Sequence, residues 1–218
     1  MIRVFKIYFL FSFALSGTFD FLSQSATIYT DNSVMVQPFL GGFNSPQIQW
    51  INWDSDIDNE LFSLDEDGCI RIYDYTLSSN WQDSYFEIID TNFGAICNLN
   101  WFQIIDIDSD GELELIVQTS NSSNQVQVYQ ISDNELIFTG TIMQSNGGFV
   151  LSDSVMVPTF ADIDSDGDYD FFTGNIIGTV TFYENIGLTE MGVPIFELIS
   201  FEWQNIWVVG PSFNNRHG

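Results

Sequence analysis

Asp-Ile-Asp-Ser-Asp-Gly-Asp-Tyr-Asp, residues 162–170, runs directly into Phe-Phe-Thr-Gly at 171–174. The stretch places an oxygen-bearing side chain at loop positions 1, 3, 5 and 9. Asp162, Asp164, Asp166 and Asp170 then point at one centre, and Asp168 is expected to add a backbone carbonyl. Ca²⁺ is a hard cation that takes about six to eight oxygen ligands at roughly 2.3–2.6 Å. Carboxylates crowded in this way repel one another unless such an ion sits among them. Gly167 follows Asp166 where the chain must turn sharply, and glycine takes positive φ at no steric cost.

The pattern occurs twice more. Asp-Ile-Asp-Ser-Asp-Gly-Glu-Leu-Glu (106–114) starts 56 residues earlier, with Asp106, Asp108, Asp110 and Glu114 at the same positions, Gly111 at the turn and Glu112 in the place of Asp168. Asn-Trp-Asp-Ser-Asp-Ile-Asp-Asn-Glu (52–60) starts 54 residues before that. Its ligand set is Asn52, Asp54, Asp56, Asp58 and Glu60. Ile57 stands where the others have glycine, and a β-branched residue resists positive φ. Three calcium sites are therefore expected, the first the weakest. The competing reading of each stretch is an acidic, solvated turn without metal.

The flanks exclude an EF-hand, whose 12-residue loop lies between helices. Short apolar runs follow each loop: Leu-Phe-Ser-Leu (61–64), Leu-Ile-Val (115–117) and Phe-Phe-Thr-Gly (171–174). Turn residues come next, at 65–68, 120–124 and 175–178. Alternating segments then end in tyrosine: Cys-Ile-Arg-Ile-Tyr (69–73), Val-Gln-Val-Tyr (126–129) and Thr-Val-Thr-Phe-Tyr (179–183). Period-two alternation marks a half-buried strand. With a strand before each loop (48–53, 101–107, 155–163) and a looser fourth (85–89, 136–143, 195–201), the chain is expected to be all-β. Its units are β-propeller blades of four antiparallel strands. Three units at about 45–95, 96–150 and 151–205 do not easily close a ring, so the expectation is an incomplete, truncated propeller over 26–218.

Composition agrees with a large core and an anion-excluding surface. Of 218 residues, 45% are hydrophobic and 16% aromatic, and the net charge is −26. The three loops hold 14 of the 30 acidic residues, so metal sites account for nearly half of the negative charge. The remainder excludes nucleic acid and anionic membrane as partners. Residues 1–25 read as a secretory signal peptide, with Arg3 and Lys6 before the apolar run 7–15 and small residues Ser23, Ser25 and Ala26 at a cleavage site. The run is too short to span a bilayer, so no membrane insertion is expected after cleavage and the protein is read as secreted or on the cell surface. In an exported protein Cys69 and Cys97 form a disulfide or remain two buried thiols; spacing leaves both open.

The segment 160–187, Phe-Ala-Asp-Ile-Asp-Ser-Asp-Gly-Asp-Tyr-Asp-Phe-Phe-Thr-Gly-Asn-Ile-Ile-Gly-Thr-Val-Thr-Phe-Tyr-Glu-Asn-Ile-Gly, resembles the FG-GAP or VCBS repeat of integrin-α-like propellers and secreted bacterial proteins. The second repeat (101–129) matches in its loop, and the first (48–73) matches more loosely. The resemblance implies calcium on the loop positions named above. It also implies an extracellular scaffold that holds a protein or a glycan. Trp81, Trp203 and Trp207 are candidates for stacking on sugars, with packing inside a blade as the competing role. The alternative is the propeller part of a polysaccharide-active lyase or hydrolase. No catalytic residue is identified for it: His217 is the only histidine, and Gly-x-Ser-x-Gly does not occur.

Overall fold

The computed structural model describes residues 29–30, 33–34, 43–53, 58–76, 84–120, 125–132, 135–151 and 157–208. Residues 1–42 form one unit, in which β1 (Tyr29–Thr30) pairs antiparallel with β2 (Ser33–Val34). The proposed leader and its cleavage site lie outside the described residues.

The second unit, residues 43–218, is built from three sheets that follow one another along the chain. The first contains β3 (Gln47–Ile51), β4 (Glu60–Leu64), β5 (Ile70–Thr76) and β6 (Tyr85–Asp90). The second contains β7 (Leu99–Ile105), β8 (Glu114–Thr119), β9 (Val126–Ser132) and β10 (Glu135–Thr141). Both are antiparallel meanders, in spatial order β3-β4-β5-β6 and β7-β8-β9-β10. After β10 comes β11 (Met143–Gln144), and then β12 (Thr159–Ala161), β13 (Asp170–Gly174), β14 (Val180–Leu188) and β15 (Pro194–Ser200). The last four repeat the meander, and β11 adds to it as a fifth, parallel strand on β15. The protein is all-β, as its alternating sequence demands, with four-stranded antiparallel sheets as the unit.

The sheets share one register. The residue before loop position 1 pairs with position 9 in each: Ile51 with Glu60, Ile105 with Glu114, Ala161 with Asp170. One residue on, Leu61 pairs with Tyr73, Leu115 with Tyr129 and Phe171 with Tyr183. The tyrosine that closes each alternating segment therefore always stands beside the strand leaving the loop.

A meander this short cannot bury both faces by itself, and the core lies between sheets. Phe62, Leu64, Ile70 and Ile72 of the first sheet pack against Phe102, Ile104, Leu115 and Val117 of the second. Trp101, Ile116, Val126 and Val128 of the second pack against Phe160, Phe171, Tyr183 and Phe196 of the third. Along β8, Leu115 and Val117 face one neighbour and Ile116 the other, so the middle sheet is apolar on both sides. A fully buried side chain of this size contributes about 1.5–3 kcal/mol.

Polar contacts add to this packing. The Gln49 amide on β3 accepts from the Ile104 N–H at 2.9 Å and donates to the Ile104 carbonyl at 2.5 Å, as a neighbouring strand would. Gln47 donates to the Asn100 carbonyl at 2.7 Å. Cys69 and Cys97 are joined in a disulfide, which settles the choice their spacing left open. It ties the start of β5 to the segment that leads into β7. Two 3-10 turns, Phe93–Ala95 and Trp203–Asn205, fold an aromatic back over a sheet face. Phe93 meets Phe62 edge-on at 5.7 Å, and Trp203 meets Phe172 edge-on at 5.0 Å. Trp203 thus packs within its own repeat, Trp207 is exposed, and Trp81 lies outside the described residues.

Strand ends differ from expectation in a consistent way. The strands before the loops stop at Ile51, Ile105 and Ala161, two residues earlier than their apolar runs suggest. Ile107 continues the apolar run yet sits in the loop, 1% exposed, because the loop folds it inward. Met143, expected to end β10, instead belongs to β11 in the next sheet.

Candidate metal centre

Each loop is anchored at its last acidic residue. Glu60, Glu114 and Asp170 open the strands that follow the loops, and all three are buried. Each accepts a hydrogen bond from the backbone N–H seven residues earlier: Trp53 to Glu60 at 2.6 Å, Ile107 to Glu114 at 3.0 Å, Ile163 to Asp170 at 3.3 Å. This contact ties loop position 2 to position 9 and pulls the intervening carboxylates into a compact turn. Asp170 also accepts from the Asn185 N–H on β14 at 2.9 Å.

Within the second loop Asp106 accepts from the N–H groups of Asp110 and Gly111, at 3.1 and 3.0 Å. Within the third, Asp162 accepts from Ser165 and Gly167, at 2.7 and 3.3 Å. The backbone follows the same path in both. Ser109 and Ser165 have φ of 61° and 65°, and Gly111 and Gly167 have φ of 98° and 100°. The glycines stand where the turn needs them. The left-handed serines were not legible, since serine carries no such signal.

This folding brings one ligand oxygen each from Asp106, Asp108 and Glu114 within 4.8 Å of one another, and likewise from Asp162, Asp164 and Asp166. Asp110 and Glu112 lie outside the first group, and Asp168 and Asp170 outside the second. In the first loop Asn52 and Asp58 are exposed and Glu60 is buried, while Asp54 and Asp56 lie outside the described residues.

The electrostatics describe a site short of positive charge. Burial, and then the carboxylates of Asp108, Asp110 and Asp106, push Glu114 up to about 7, against the opposing pull of the Ile107 N–H. Burial and the carboxylates of Asp166, Asp170 and Asp164 push Asp168 up to about 6. Asp108 and Asp170 are raised as well, chiefly by burial. Glu60 Oε1 is buried with no hydrogen-bond partner among the described residues, as is Asp168 Oδ1. A buried, unpartnered carboxylate oxygen is costly, and a cation removes that cost. The donors are all oxygen, which suits a hard divalent ion and disfavours one that seeks nitrogen or sulfur. These acidic clusters can hold a metal ion.

Residues 106–173 match the FG-GAP-like repeat. The matched segment opens on Asp106, the first ligand of the second loop, and ends at Thr173 in β13. The match thus takes in both complete acidic loops and β8, β9 and β10 between them, about a third of the chain. No curated protein and no solved structure matches the chain. The matched segment does not coincide with one sheet: it spans the last three strands of the second meander, β11, and the first two strands of the third.

Proposed function

We propose that this chain is an exported, calcium-stabilised β-propeller segment that acts as a scaffold for an extracellular protein or glycan. The observation that carries the reading is the triple anchoring of a buried position-9 carboxylate on the N–H seven residues back. It recurs in three loops and leaves the acidic side chains of two of them converged. Calcium suits these loops because it accepts six to eight oxygens in loose geometry. Asp106, Asp108 and Glu114 would hold one ion, and Asp162, Asp164 and Asp166 a second. Asn52, Asp54, Asp56, Asp58 and Glu60 would hold a third, weaker one. The ion would fix the turns that connect first and second strands, a structural role. The leader-like residues 1–25 and the abundance of calcium outside cells support export. The FG-GAP-like repeat supports an extracellular, adhesion-type role.

Calorimetric titration of the chelator-treated chain tests the reading. Two strong sites and one weaker one are expected. No calcium uptake at millimolar concentration would refute it.

A further inference from the structure

A cavity of about 340 Å³ opens beside the second loop, where that loop meets the turn between β14 and β15 of the third sheet. Its size is at the lower end of small-molecule sites, roughly 300–1,000 Å³. Asp108, Asp110 and Glu114 form the loop side. Gln130 on β9, Thr139 on β10 and Glu190 on the turn form the rest of the polar wall. The turn approaches so closely that a Cβ on Gly192 would overlap Asp108 Oδ2, and its φ of +75° also calls for glycine. The cavity is therefore assembled from two sheets and not from the loop alone.

Glu114 is 5% exposed. Its Oε2 is taken by the Ile107 N–H. Its Oε1 has no hydrogen bond among the described residues, and the side chain lines the cavity. We infer that this cavity is a calcium-dependent site for adjacent hydroxyls of a neutral sugar, a reading that rests on calcium occupying the second loop. Three converged carboxylates leave several of the ion's six to eight positions to other oxygens. A hydroxyl fits there because its lone pairs reach the ion while its proton goes to a nearby carboxylate. Two adjacent hydroxyls do so together, with Asp110 and Glu190 as acceptors and the Gln130 amide as donor. Met191, exposed on the turn, offers apolar surface to the C–H face of the ring. Among the described residues no Lys, Arg or His lines the cavity, which disfavours an uronate or a phosphate.

The test uses the full chain with methyl α-mannoside, methyl α-galactoside and methyl α-glucoside as probes, which cover cis and trans diols. Binding is followed by protein NMR in millimolar calcium and after chelation. At least one probe is expected to bind in calcium and none without it. Glu190 is exposed on a turn and Gln130 is exposed on β9, so both tolerate change. Glu190→Gln and Gln130→Ala should each weaken the probe about fivefold, the loss of one hydrogen bond. Calcium affinity, measured separately, should stay constant in both. Sugar binding that survives chelation overturns the proposal. So does calcium uptake with no response to any of the three sugars, which leaves the calcium reading intact. Failure of calcium itself to bind overturns both. If Nα-acetyl-lysine amide binds the chelated protein and the sugars do not bind, the cavity is a cation pocket and the proposal falls.

Discussion

The position-9 carboxylates differ in how their two oxygens are used: Asp170 has a backbone N–H on each, whereas Glu60 and Glu114 carry one backbone N–H on Oε2 alone. For Glu114 this has a measurable consequence in pH. Its carboxyl ionises near 4.5 in an unfolded chain and near 7 in the folded, metal-free protein. Through that window the folded state binds more protons than the unfolded state, so stability must fall as pH rises. Asp168, raised to about 6, adds the same sign over the lower part of the window. The melting temperature of the chelated protein should therefore decline from pH about 4.5 to about 7, and Glu114→Gln should flatten the decline. Calcium selects the ionised form, so the calcium-induced rise in melting temperature should grow across the same range. A chelated protein that gains stability through this window would contradict the account. At the third loop, Asp164→Ala removes one of three converged carboxylates. An ion that binds only the folded state stabilises it by about 4 kcal/mol at a thousandfold excess over Kd. The variant should melt lower in calcium and show a smaller shift on chelation; identical curves with and without chelator would argue against a structural ion.

The strands were legible because their chemistry repeats. Alternation ending in Tyr73, Tyr129 and Tyr183 marked three equivalent strands, and the structure sets each beside the strand leaving its loop. What could not be read was anything that depends on a neighbouring sheet. Gln49 looks like an ordinary polar strand residue, yet its amide completes the backbone pairing of Ile104. Phe93 and Trp203 look like loop aromatics, yet they cover Phe62 and Phe172. Met143 extends the apolar run of β10, yet pairs with Ile195 of another sheet. In each case the partner lies at a sequence distance that no local period encodes. The same dependence makes the inter-sheet contacts testable. Ile116 is fully buried on the face of β8 toward the third sheet, and Ile116→Ala should cost about 2–5 kcal/mol in denaturant melts. Reducing the disulfide opens a loop of 28 residues, for which chain entropy gives a loss of roughly 3–4 kcal/mol. A reduced protein with an unchanged denaturation midpoint would show that the link does not constrain the unfolded chain.

Across the whole second unit, apolar surface is covered between sheets and left open on the outer faces. Ile48 and Trp50 on the first sheet are 57% and 49% exposed, and Phe201 and Trp207 beyond the last strand are 63% and 56% exposed. Patches of this kind drive association. The chain should self-associate with rising concentration, and Trp50→Ser with Trp207→Ser should reduce it; light scattering that reports a monomer at all concentrations for the unaltered chain would oppose this. The β11 strand bears on how such a protein can be divided or rearranged. It is encoded with the second repeat and hydrogen-bonds in the third sheet, so the period of the sequence and the period of the sheets are out of phase. A fragment begun at 151, where the sequence period divides, would leave the edge of β15 without its partner, whereas one begun at 142 would carry it. Among the described residues the stagger belongs to this junction alone: the second sheet carries no strand from the first repeat, and the disulfide Cys69–Cys97 links those two instead. A cut or insertion at the sequence boundary near 151 would therefore change which strand covers the β15 edge, while one between the first two sheets would leave every strand pairing intact.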